Sequence, residues 1–134
     1  MTNRLIAFGW AAGLGLLPST VLGAPLDGSA PMLCALSSVM ECTRKADCER
    51  TSAEEAGIPP FIRVNVPQRQ LSTIDGARTS PIVNIQRANG NLMLHGMQNE
   101  RAWVAVIEEE TGRMSATAAE PEGAFVLIGT CIAP

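Results

Sequence analysis

Beyond residue 32 apolar and polar side chains alternate in short runs, and each run stops at turn-forming residues. The run from Phe61 to Val66 is the cleanest: Ile62, Val64 and Val66 fall on one side, Arg63 and Asn65 on the other. A period of two marks a strand with one buried face. The same reading places strands at 33–43, 47–52, 61–66, 70–74, 81–88, 91–97, 101–109, 113–119 and 124–131. Turns separate them at Asp75-Gly76, Asn89-Gly90, Gln98-Asn99-Glu100, Thr111-Gly112 and Glu120 to Gly123. Asn-Gly is the strongest hairpin signal of these, because both residues tolerate positive φ. The stretch Glu54 to Pro60 breaks the pattern. Ser52 and Glu55 have capping-box spacing, but Gly57, Pro59 and Pro60 permit at most one helical turn.

Consecutive short strands joined by tight turns predict an all-β fold: an antiparallel meander of eight or nine strands curling into a small barrel or a curled sandwich. Closure removes exposed edges. No ten-residue helical pattern follows residue 23, which argues against α/β folds and their cofactor crevices. The last segment, Ala124 to Cys131, is nearly all apolar and is expected to be buried on both faces. Glycines 96 and 129 inside strands mark tight curvature or close neighbours. A two- or four-residue hairpin after Met97 sets Gly96 opposite Trp103, whose ring then covers the missing side chain.

The cysteines strengthen the case for closure. Four of them, at 34, 42, 48 and 131, read as two disulfides. An extended chain would hold Cys34 and Cys42 about 26 Å apart, whereas a bridge needs alpha carbons within about 7 Å. Cys42 and Cys48 flank Thr43 to Asp47, a good hairpin loop, which leaves Cys34 with Cys131. That second bridge ties the start of the domain to its end, and the disulfide-closed fold is expected to depend on it. A redox pair would have CxxC spacing at a helix start, and a zinc site would need further Cys or His close by.

Residues 1–23 run from Arg4 through an apolar stretch to small residues ending at Gly23, the order of a secretory signal. The apolar run Leu5 to Leu17 is 13 residues, against about 20 for a spanning helix. The expected organisation is a signal peptide over 1–23, a disordered lead-in over 24–32, and one β domain over 33–134, exported to the periplasm with no transmembrane segment in the mature chain. Formal charge is −3, and removing Arg4 with the signal makes it 9 basic minus 13 acidic, or −4. The arginines are scattered, with Arg44-Lys45 the only adjacent basic pair, so nucleic acid is not an expected partner.

Candidate chemistry is sparse. Met93, His95 and Met97 stand at alternate positions and share one strand face, and two thioethers with an imidazole suit Cu(I). Alternate side chains are about 6.6 Å apart along a strand, so convergence on one ion requires a twist or bulge; packing, with a surface histidine, is the favoured reading. Glu108, Glu109 and Glu110 form an acidic turn that reads as solvated rather than as an acid–base pair. His95 is the sole histidine, and GxSxG, P-loop, dinucleotide and HExxH patterns are missing. Neither enzymatic activity nor a bound cofactor is expected.

The stretches Arg101 to Thr117, RAWVAVIEEETGRMSAT, and Gly129 to Cys131, GTC, resemble small exported β-domain proteins of Gram-negative bacteria. The resemblance implies a disulfide-closed periplasmic β domain and transfers no catalytic residue. A looser architectural likeness is to periplasmic lysozyme inhibitors. The expected role is a binding module for a protein, an envelope component or a small apolar molecule. Thr43 to Asp47 and Glu54 to Pro60 are its candidate loops, and a lipocalin-like ligand role follows if the barrel encloses a cavity.

Overall fold

The computed structural model describes residues 23–45 and 47–134. Apart from Gly23, the expected export signal lies outside the described residues. Every segment read from the alternation is a strand: β1 (Met32–Thr43), β2 (Cys48–Thr51), β3 (Phe61–Asn65), β4 (Gln70–Ser72), β5 (Thr79–Ala88), β6 (Asn91–Gln98), β7 (Arg101–Glu108), β8 (Arg113–Glu120) and β9 (Gly123–Ile132). None of the described residues is helical, and no helix long and apolar enough to cross a membrane occurs among them.

Strands β3 to β9 pair antiparallel in chain order, and β9 returns to β1 in register from Leu33 opposite Ile132 to Thr43 opposite Gly123. The result is a closed eight-stranded antiparallel barrel, with β2 as an extra strand. Of the two closures compatible with the sequence, the chain adopts the barrel. β2 and β3 lie on the same edge of β1, β2 against Val39 to Cys42 and β3 against Met32 to Ala35. They are two halves of one partner strand, split by an excursion over 52–60. The chain leaves the sheet there because Pro59 and Pro60 have no N–H for the ladder. It returns where the Leu36 N–H donates to the Pro60 carbonyl at 2.9 Å.

Both disulfides are those expected, Cys34–Cys131 and Cys42–Cys48, and each joins residues directly opposite in register. The Asn89-Gly90 hairpin has φ of 52° and 74°, the positive values that pair tolerates at little steric cost.

The inward set forms two touching clusters. Met32, Cys34, Val64, Leu92, Leu94, Ile107 and Cys131 make the lower one; Val39, Ile58, Ala118, Phe125 and Leu127 make the upper, with Trp103 packing against both. Burying each large aliphatic contributes about 1.5–3 kcal/mol. On β9 the buried positions are Phe125, Leu127, Gly129 and Cys131, while Val126 is 37% and Ile128 43% exposed. Expected burial of both faces of that strand is therefore corrected: a barrel has a single interior, and among the described residues nothing covers this outer wall.

The segment before β1 packs against one end of the barrel. Met32 already belongs to β1 and is 1% exposed, and Leu26 packs on the lower cluster. Gly28 has φ of 78°, and a Cβ there would lie 3.0 Å from Val66 Cγ2. Residues 23–31 thus form a floor across one end of the barrel. Leu26 supplies the apolar anchor that a Pro, Gly and Ser composition conceals, and Gly28 lets the backbone pass close beneath the wall.

Candidate functional site

The barrel interior is not filled. A cavity of about 150 Å³ runs from Ile107 and Met114 to an opening at the end opposite the floor. Its room comes from small inward residues, Ala105 on β7 and Ala116 and Ala118 on β8, where Leu or Ile would occupy the space. Ile62, Leu71, Leu94 and Leu127 line the wall.

Two polar side chains deep in that wall are paired with one another. Trp103 Nε1 donates to Ser80 Oγ at 2.8 Å, and Ser80, 5% exposed, donates to the Met97 carbonyl at 3.4 Å. Trp103 in turn seals Gly96 opposite it: a Cβ at Gly96 would stand 2.6 Å from the indole and 2.2 Å from the Pro81 carbonyl oxygen. A polar guest would thus lose its water deep in the cavity and find few free partners, which is unfavourable. An apolar guest loses nothing there.

The opening is framed by the 52–60 excursion, the turn between β4 and β5, and the β6–β7 hairpin. A single hydrogen-bonded turn forms in the excursion, where the Ala56 N–H donates to the Ser52 carbonyl at 3.1 Å, and it does not extend into a helix. Glu55 N–H donates to Ser52 Oγ at 3.1 Å, and Ser52 N–H and Oγ donate back to Glu55 Oε2 at 3.2 and 2.9 Å. These donors, with the Thr51 hydroxyl, hold the Glu55 carboxyl below its usual pKa. Ile58, 8% exposed, tucks into the upper cluster beneath the turn. Arg78 Nη1 donates to the Gly57 carbonyl at 3.1 Å and ties the excursion to the β4–β5 turn. In that turn the Thr73 hydroxyl and the Ala77 N–H donate to Asp75 and lower its pKa. Across the opening Arg101 reaches Glu120 Oε2 through Nε at 3.1 Å and Nη2 at 2.9 Å. Its guanidinium sits 5.0 Å above the Phe125 ring, within cation–π reach.

The residues singled out from sequence fall mostly elsewhere. Cys34 and Cys131 lie in the seam between β1 and β9, Cys42 and Cys48 at the end of the β1–β2 hairpin. Met93, His95 and Met97 lie on the outer face of β6, away from the cavity, with Val106, Val104 and Ala102 beside them on β7. Met97 is 57% exposed. Among the described residues no three His, Cys, Asp or Glu side chains gather as a metal set. Glu108 accepts from the Thr111 hydroxyl and from Arg113 Nε at 2.9 Å, which lower its pKa. Glu109 Oε1 accepts no hydrogen bond, yet stands 3.6 Å from Arg87 Nε in an ion pair. Of the two candidate loops, Glu54 to Pro60 borders the cavity through Gly57, Ile58 and Pro59.

The sequence reading missed Ser80, Arg78 and Arg101. Arg101 was legible in principle, since it stands two positions from the inward Trp103 and so shares its face. Comparison with models of known families, with characterised proteins and with solved structures finds no match.

Proposed function

We propose that the protein is a non-catalytic binding module that holds a small apolar molecule in the barrel cavity, and that it works in the periplasm. The carrying observation is the cavity itself, apolar-walled, with the Ser80 and Trp103 side chains already bonded to one another. A void of this size lined by aliphatic side chains is large enough for a benzene-sized guest. Closure from β1 to β9 supports the reading, because a rigid wall keeps the space open before binding and spares the ligand the work of ordering it.

Trp103 borders the cavity and is the only tryptophan after residue 23, so its fluorescence reports on occupancy. Titrating the disulfide-bonded protein with toluene or hexan-1-ol is expected to change that emission saturably. At a hundredfold excess over Kd the ligand should raise unfolding free energy by about 2.7 kcal/mol. Ala116→Leu fills the space and should abolish binding while the fold remains. If neither probe binds, or if the filled variant binds equally well, the proposal fails.

A further inference from the structure

We infer that the ligand of this cavity is an amphiphile, an apolar body of about six carbons bearing a carboxylate held at the opening by Arg78 and Arg101. The inference rests on the proposed binding role and adds the chemistry of the ligand's head.

It starts from an imbalance of charge. The chain has 13 acidic and 10 basic side chains, yet the charged residues that line the cavity are Arg78 and Arg101, with no acid among them. Both stand at the opening. A random draw from an acidic protein would favour a carboxylate there, and that would repel an anion.

Neither arginine is fully occupied. Arg101 spends Nε and Nη2 on a single oxygen of Glu120 and makes no bond through Nη1 among the described residues. Arg78 spends Nη1 on a neutral carbonyl, and among the described residues no carboxylate lies in salt-bridge contact with it. Asp75, the acid on its own turn, is engaged by Thr73 and Ala77 and attracts Arg78 only from a distance. Glu120, Asp75 and the loop acids Glu54, Glu55 and Glu100 all lie outside the cavity lining, so the charges that line the cavity are the two guanidiniums alone. The planar fork of a guanidinium matches a carboxylate in two parallel hydrogen bonds. A ligand with its tail among Leu71, Leu94 and Leu127 and its head at the surface therefore meets each end with the chemistry it needs.

Three six-carbon probes separate the parts of this argument at pH 7: hexanoate, hexan-1-ol and hexylamine, each followed by Trp103 emission and by calorimetry. Hexanoate should bind about fivefold to tenfold tighter than the alcohol at low salt, the range for a charged hydrogen bond discounted for exposure. Hexylamine should bind more weakly than either. Half-molar salt should shrink the hexanoate advantage and leave hexan-1-ol unmoved. Arg78→Gln should lower hexanoate affinity by the same factor and spare the alcohol, which also verifies that the opening still folds. Arg78→Lys keeps the charge and should retain most of the preference. Equal binding of acid and alcohol, or a preference that survives Arg78→Gln, overturns the inference and leaves apolar binding standing. Failure of both hexan-1-ol and hexanoate to bind overturns the two together.

Discussion

Trp103 joins the packing of the wall to the edge of the cavity through a single ring. Its Nε1 holds Ser80, its face stands in for the side chain Gly96 lacks, and its edge borders the cavity. Gly96→Ala would drive a methyl toward the Pro81 carbonyl oxygen, a backbone atom fixed by the ladder. The expected loss is about 2–3 kcal/mol, read as a lower urea midpoint. Ser80→Ala leaves the indole N–H in the wall without its acceptor and should cost about 1–3 kcal/mol. The Gly96–Trp103 pairing was legible because hairpin length fixes which residues face each other. The Arg101–Glu120 pairing follows from the same rule across the β7–β8 hairpin, whereas the place of Arg101 at the cavity opening emerges only from the closed barrel.

The 52–60 excursion shows how far pattern reaches at the scale of elements. Its single turn follows from Ser52, Glu55 and the prolines that stop it, all local facts. Its position does not: nothing in 48–65 says that β2 and β3 flank one edge of β1, because that depends on where the interrupted strand resumes. The end strands misled for a related reason. An apolar run cannot report whether a neighbour covers its outer face, so Val126 and Ile128 read as buried. Ser52→Ala removes the cap and should weaken the turn by about 0.5–2 kcal/mol, seen as faster amide exchange at Ala56 and Gly57, whose N–H groups close it. Acid should act on the same loops. Glu55, Asp75, Glu108 and Asp27 all have carboxyls held below their ordinary values of 4.5 or 3.8 by hydrogen bonds from neighbours. A depressed carboxyl stabilises the fold above its unfolded pKa, and the contribution disappears as pH falls through the lower folded value. Stability should thus be level above about pH 5 and decline below about pH 4, which thermal melts across that range will test.

For the whole molecule, alternation and cysteine spacing together gave a closed β fold, while the choice of barrel over sandwich came only with the β1–β9 register. The two bridges differ in weight. Chain entropy assigns about 4.7 kcal/mol to a loop near 100 residues and about 2.4 kcal/mol to one of seven. Replacing Cys34 and Cys131 together by alanine should therefore lower stability about twice as much as replacing Cys42 and Cys48, compared by denaturant unfolding. The long bridge also spans 97 positions, from the third residue of β1 to the ninth of β9. Tension applied at the start of β1 and the end of β9 would pass from sulfur to sulfur and bypass the strands between them. Pulled in an optical trap, the oxidised protein should yield almost no length, and adding a reductant should release roughly 340 Å of slack. A barrel wired in this way would bear a mechanical load along β1 and β9 without its interior cavity being prised apart.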